Sequence, residues 1–371
     1  MIKRVLKSSL FKASGTYTLF SIFNSAIPFF LIPILTRYLS PEEYGIVAMF
    51  SLLLSIIGLF TGLSVYGAIN RVYFENDINF KEYVANCIYI LVFSSLLTFI
   101  IVYVIRNYLS HLTNIPESWV LISVLISFFQ ILILSNLAIY QATLNAKKYG
   151  YIQLGQGLLN ATLTIIFIVF LKMKWEGRLL AQVLSIFIFG IFSFFVIAKL
   201  WSEWKLNIKY IKHALKFGIP LIPHTIGGML MVMTDRFIIN NMIGTKEVGI
   251  YTAGLQIGMI IGLLADSFNK AWAPWLINKL NENTYETKIK IVKFTYLYFG
   301  AIIVLALVIG FSAPFIVKIM FGKNYYDAKE IIIWISLGNA FDGMYFMVVN
   351  YIFYVYKTHI LAWVTFFFWY N

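Results

Sequence analysis

Apolar stretches of about twenty residues recur from one end of this chain to the other, each long enough to cross a hydrocarbon layer roughly 30 Å thick. Nothing else in the sequence limits the possible folds as strongly. Lipid offers a peptide group no hydrogen bond, so a spanning segment satisfies its own backbone as a helix or joins a closed barrel. Barrel strands alternate apolar and polar residues, and no such alternation is present. The expected fold is therefore all-α and polytopic. Composition agrees: 60% of the 371 residues are hydrophobic and 12% charged, too few charges to cover a soluble domain of this length.

The apolar pattern predicts helices over 14–36, 45–69, 83–105, 118–140, 151–171, 178–198, 216–238, 249–271, 291–313 and 329–353, with an eleventh starting near 358. With the N-terminus in the cytoplasm, nineteen of the 29 Lys and Arg residues fall on the cytoplasmic side and ten on the other, the bias that orients membrane helices. The Lys172–Arg178 cluster runs against it. The net charge of +13 resides in these short links, which argues against a nucleic-acid surface. Lys3, Arg4, Lys7 and Lys12 precede the first apolar run without a small-residue cleavage site, so the first helix is expected to be retained. Links 199–217 and 272–290 are amphipathic, and Trp201, Trp204, Trp272 and Trp275 are expected among lipid headgroups. Cys87, inside an apolar run, reads as a small buried hydrophobe.

A shift of 204 residues lays the second helix on the eighth. Ser40-Pro41-Glu42-Glu43-Tyr44-Gly45-Ile46 then falls on Gly244-Thr245-Lys246-Glu247-Val248-Gly249-Ile250, and Ile56-Ile57-Gly58-Leu59 on Ile260-Ile261-Gly262-Leu263. The copies lie six helices apart, an even number, which makes the repeat parallel, with its axis along the membrane normal. The expected architecture is two six-helix bundles, residues 1–205 and 206–371, the second cut off in its eleventh helix. Ser40 with Pro41 and Glu43 forms a helix-capping box. Gly58-x3-Gly62 and Gly254-x3-Gly258-x3-Gly262 read as close-packing faces.

Polar groups inside apolar runs are functional candidates. Arg37 and Arg71 close the first and second helices on opposite faces, where each can snorkel or stand at the mouth of a path for an anion. Asp235-Arg236 ends the seventh helix, and Asp266 and Lys270 lie one turn apart on the eighth. Asn24, Asn136, Gln153, Gln156, Asn160, Gln182 and Gln256 add amides that bridge helices or line a path. Pro28, Pro33, Pro220 and Pro223 interrupt the hydrogen-bond ladders of matching helices and are hinge candidates. His224 reads as a hydrogen-bonded core histidine or, less readily, a proton-coupling group.

Catalytic signatures are missing. The sequence has no G-x-x-x-x-G-K-[ST] loop, no D-x-D and no G-x-S-x-G, its four histidines are dispersed, and no cofactor is implied.

Leu35-Thr36-Arg37-Tyr38-Leu39-Ser40-Pro41-Glu42-Glu43-Tyr44-Gly45 resembles the opening loop of polysaccharide-biosynthesis flippases, the O-antigen and capsule repeat-unit translocases of the multidrug/oligosaccharidyl-lipid/polysaccharide exporter superfamily. Phe217-Gly218-Ile219-Pro220-Leu221-Ile222-Pro223-His224, Thr234-Asp235-Arg236-Phe237-Ile238 and Val248-Gly249-Ile250-Tyr251 are similar to the start of that family's second half. The resemblance implies a bacterial inner-membrane protein of two bundles around a cationic cavity. It further implies alternating access, an undecaprenyl-diphosphate-linked oligosaccharide as cargo, membrane lipids and the pathway's polymerase as partners, and Arg37, Arg71 and Asp235-Arg236 as positions to test. The family usually has twelve helices, so an eleventh ending at Asn371 leaves a fragment or an inactive truncation as a further possibility. An ion-coupled small-molecule exporter of the same superfamily, a membrane glycosyltransferase or polymerase and a non-transporting scaffold are the competing readings.

Overall fold

The computed structural model describes residues 9–75, 77–282 and 284–355. Among them there is no strand, and nine helices are long and apolar enough to cross a membrane, or ten if one bent pair counts as a single span. The eleventh expected segment, and most of the N-terminal lysines and arginine, lie outside the described residues. In order the helices are α1 (Ser9–Tyr38), α2 (Pro41–Gly62), α3 (Val65–Val72), α4 (Phe80–Thr113), α5 (Glu117–Ala142), α6 (Ala146–Ile165) and α7 (Lys174–Val196). They continue as α8 (Ile208–Gly218), α9 (Leu221–Met242), α10 (Thr245–Glu282), α11 (Tyr285–Met320) and α12 (Ala328–Tyr354). The chain forms two compact units, residues 1–249 and 250–371, so α10 begins in the first and continues in the second.

The start of α2 follows from its sequence. The Ser40 hydroxyl accepts the Glu43 N–H at 3.2 Å, and the Glu43 carboxylate accepts the Ser40 N–H at 2.8 Å, with Pro41 in the first turn, where no donor is needed. Ser40→Ala removes one arm of this box, a loss of about 1 kcal/mol. A thermal melt of the detergent-solubilised protein should show a Tm lower by about 2–4 °C for each kcal/mol lost.

The end of α2 departs from expectation. Helix was expected to run unbroken from 45 to 69, but the chain breaks after Gly62, where Leu63 (φ 40°) and Ser64 (φ 56°) are left-handed. Gly62 lies so close to the Ile131 side chain that a Cβ there would come within 2.7 Å of it. Arg71 therefore sits on the separate helix α3 and does not close a membrane-crossing one.

The amphipathic link at the middle of the chain is helix α8, and it docks on protein. Its Ala214 joins Val65, Ile69, Tyr83, Cys87, Leu132 and Ile197 in a continuous apolar core. Gly218 abuts the break in α2 so closely that a Cβ there would overlap the Leu63 carbonyl oxygen. Cys87 is fully buried, as expected of a small hydrophobe. The seventh expected segment divides between α8 and α9, and the axes of Ile208–Leu230 and Met233–Met242 differ by 60°.

In the second unit, α10 and α12 approach at the expected small-residue face: Gly254 meets Ala328, Gly258 meets Ile335 and Gly262 meets Asn339. The corresponding face in α2 is half realised, because Gly58 has nothing within 4 Å of where its Cβ would be. The link expected over 272–290 is instead a continuation of α10 to Glu282 and the start of α11 at Tyr285. Aromatic packing explains the extension. Trp272 is buried and stacks on Phe268 and Phe294 at centroid distances of 6.2 and 5.4 Å, so it is not a headgroup anchor.

Candidate functional site

The two copies of the repeated turn meet in the first unit. Gly45 packs against the carbonyl of Thr245 and Gly249 against the carbonyl of Pro41, with no room for a Cβ at either position. Thr245 is the repeat mate of Pro41, and Gly249 of Gly45. The contact is thus reciprocal, residue i on j′ and j on i′, which is what a two-fold axis between equivalent helices produces. Asn114 donates to the Thr245 hydroxyl at 2.9 Å, and that hydroxyl donates to Asn240 Oδ1 at 3.0 Å, which fixes the start of α10.

The cations and amides expected to line a path are distributed unevenly. Arg71 is an exposed group, paired with Glu75 at 3.4 Å and lying 5.5 Å from the ring of Phe217. Glu75 also faces His213 Nε2 at 3.9 Å, and His213 Nδ1 is 3.1 Å from the Tyr83 hydroxyl. Arg71 thus belongs to a clasp between α3, α4 and α8. Arg37 is exposed near the end of α1. Lys270 pairs with Asp266 at 2.7 Å on the exposed face of α10 in the second unit, where Gln256 is half-buried.

Arg236 differs from these. It is half-buried on α9, its Nε is shielded with no hydrogen-bond partner among the described residues, and no described carboxylate lies within ion-pair distance. Asp235 Oδ1 accepts the backbone N–H of Arg236 at 2.7 Å.

A polar seam runs between α1, α6 and α7. Asn24 lies against Gly157, and Gln156 and Asn160 flank that glycine on α6. Arg178 of α7 reaches Asn160 Oδ1 at 2.9 Å and Thr164 Oγ1 at 3.4 Å. The sequence reading counted Arg178 with the Lys172–Arg178 cluster, at the first residue of the helix expected over 178–198, and gave it no role. The available signal was Asn160/Thr164 and Arg178/Gln182, two polar pairs spaced i,i+4 on consecutive apolar helices. Elsewhere amides bridge helices with no ligand implied, as Asn136 to Ser193 and Asn350 to Asn269.

The proline candidates lie in two settings. Helix α1 continues through Pro28 and Pro33, whereas Pro220 is the N-cap of α9 and Pro223 lies in its first turn, where the missing N–H is an orphan in any helix. His224 is exposed on α9, which removes the core-histidine reading. Between α2 and α4 a groove of 410 Å³ is lined by Ile57, Phe60, Leu97, Ile101 and other apolar groups. It offers hydrocarbon contact and little to recognise a polar group, Ser94 being engaged with the Thr61 carbonyl at 2.6 Å.

Residues 10–279 match the family described as polysaccharide biosynthesis protein. The chain belongs to that family. Among curated relatives it is 28% identical over 360 residues to a membrane protein of Haemophilus influenzae, covering 94% of this chain and 85% of the other. It is 27% identical over 335 residues to the capsular polysaccharide biosynthesis protein CapF of Staphylococcus aureus, covering 86% and 80%. Its fold is similar to that of the lipid II flippase MurJ in an inward closed conformation, with TM-score 0.69 and 17% identity over 91% of this chain and 76% of that one. An inward-facing multidrug-resistance MATE transporter of the MOP superfamily gives TM-score 0.63 at 16% identity, covering 91% and 84%. This family member is therefore a multi-pass membrane protein with the fold of that superfamily.

Proposed function

We propose that the protein is a flippase that moves undecaprenyl-diphosphate-linked oligosaccharide repeat units across the bacterial inner membrane for capsule or O-antigen assembly. Membership of the polysaccharide biosynthesis family supports this reading. The observation that carries the reading is Arg236, a half-buried guanidinium with no described carboxylate partner in an apolar helix. Such a group is costly in a membrane, and a diphosphate passing beside it offsets the cost. The reciprocal crossing at Gly45 and Gly249 supports alternating access between two bundles, residues 1–205 and 206–371. With the N-terminus in the cytoplasm, that crossing faces outward. Asn24, Gln156 and Gln256 are assigned to sugar hydroxyls, Arg37 to the outer mouth, and the prolines of α1 and α9 to the bending of those helices.

The MATE likeness favours one other reading, an ion-coupled exporter of small molecules. Coupling would need a carboxylate inside the first bundle, whereas its polar seam holds an arginine. Deleting the gene in its host tests the choice. Complete repeat units should accumulate on lipid inside the cell while surface polymer disappears; unchanged polymer with lost drug efflux would replace the flippase by the exporter.

A further inference from the structure

Helix α8 docks on the protein by one face, and its other face mixes cations with exposed apolar groups. Tyr210, Ile211, Ala214, Leu215 and Phe217 pack into the apolar core of the first unit. Ile208, Lys209, Lys212 and Lys216 are exposed and fall within about 100° of helical arc. Residues 202–207 continue this surface with exposed Trp204, Lys205 and Leu206. The start of α4 pins that segment: Asn86 donates to the Lys205 carbonyl at 2.9 Å and accepts the Asn207 N–H at 2.9 Å. None of the four lysines lies within ion-pair distance of a described carboxylate. Glu203, beside them in sequence, accepts from Asn79 at 3.1 Å.

A lysine face alone is ordinarily a solvated one. Two observations separate this face from that case. Leu206 and Ile208 stand among the lysines 66% and 62% exposed. Water leaves such groups bare, whereas a bilayer interface takes the apolar groups at the acyl boundary and the ammonium groups among phosphates. The surface is also continuous with the apolar end of the preceding span, where Phe195 and Leu200 are exposed. Anionic phospholipid supplies a partner for both kinds of side chain, and a zwitterionic lipid for the apolar ones alone. We propose that the outer face of α8, with residues 202–207, is a binding surface for anionic phospholipid headgroups. The bound headgroups hold α8 onto the first unit. There α8 bears on the α2 break through Gly218 at the Leu63 carbonyl, and on α3 through His213 Nε2, 3.9 Å from Glu75. Anionic lipid therefore stabilises this junction, whatever the cargo.

The test uses full-length protein in phosphatidylcholine vesicles with increasing phosphatidylglycerol. Cys87 is fully buried, so a cysteine introduced as Ile208→Cys takes a fluorophore selectively. A small share of one lipid or the other carries a quencher high on its acyl chain, and the two quenching curves give the lipid preference of this surface. The fluorophore at 208 should report a preference for phosphatidylglycerol of about tenfold or more, the scale of two or three engaged lysines. Combined Lys209→Gln, Lys212→Gln and Lys216→Gln should cut it to about twofold or less, and the matching arginine triple should keep it. A fluorophore at Phe311→Cys, exposed on α11, is the control and should show little preference. Phosphatidylglycerol should raise the Tm of the wild type and not that of the glutamine triple, and the two proteins should melt alike in phosphatidylcholine alone. Equal quenching by both lipids at 208, or a preference that survives the glutamine triple, would overturn the proposal. Absence of quenching by either lipid would do the same, since it places the face in water or against a protein. A Tm rise reproduced by soluble glycerol phosphate would assign the lysines to a free phosphate and also count against it.

Discussion

Gly45→Val, and separately Gly249→Val, should abolish surface-polysaccharide export, the largest effects expected of any single substitution in this chain. At each position a Cβ collides with a backbone carbonyl, that of Thr245 for Gly45 and that of Pro41 for Gly249. A flexible side chain can move aside, but a carbonyl moves only with its helix. Overpacking of this kind costs about 1–3 kcal/mol where neighbours can yield, and the upper end or beyond applies to backbone. The two helices are forced apart where the alternating-access reading requires them to close. Gly58→Val on the same helix is the control, since nothing lies within 4 Å of its Cβ position. Export, membrane abundance and Tm should be measured together. Both crossing variants should lose export and show a lower Tm, while Gly58→Val keeps both. Crossing variants with normal export would show that this contact is not needed for transport.

The second large effect is expected at Arg236. Hydrogen bonds to charged groups contribute about 1.5–3 kcal/mol, so Arg236→Gln should lower the rate of cargo movement by about ten- to a hundredfold at normal abundance. Arg71→Ala serves as the comparison. Arg71 is already matched by Glu75, and its side chain is 62% exposed, so its loss should change the rate by no more than about twofold. Equal losses at the two positions would show that proximity to an ion-pair partner does not separate transport groups from structural ones here.

Much of this fold was legible in the sequence because the physics that sets it is local. Apolar runs locate the spans, Ser40 and Glu43 mark the start of α2, and the glycine spacing in α10 marks the face that meets α12. The break at Leu63 and Ser64 was not legible. It interrupts an apolar run with two non-glycine residues in left-handed conformation, stabilised by tertiary contacts that no nearby residue announces. Hydropathy also hid the continuation of α10, whose apolar side after residue 271 faces a cluster formed with α11. The site was legible as residue types and not as partnerships. Arg71 and Arg236 look alike in sequence, each an arginine near the end of an apolar run with a carboxylate close by, Glu75 four residues on and Asp235 one before. The structure separates them: Arg71 is exposed, paired with Glu75 and beside Phe217, whereas Arg236 is half-buried. Arg178 stood at the first residue of the helix expected over 178–198 until the start of α7 at Lys174 placed it one turn inside.

The central claim, movement of lipid-linked repeat units, is most directly measured in proteoliposomes. Repeat-unit lipid extracted from the deletion strain is placed in the inner leaflet with purified full-length protein, and a membrane-impermeant glycosidase is added outside. The account predicts that the oligosaccharide becomes cleavable at a rate well above that of protein-free vesicles, and that Arg236→Gln slows this about tenfold or more. Cleavage no faster than in protein-free vesicles, with the protein folded and correctly inserted, would contradict it.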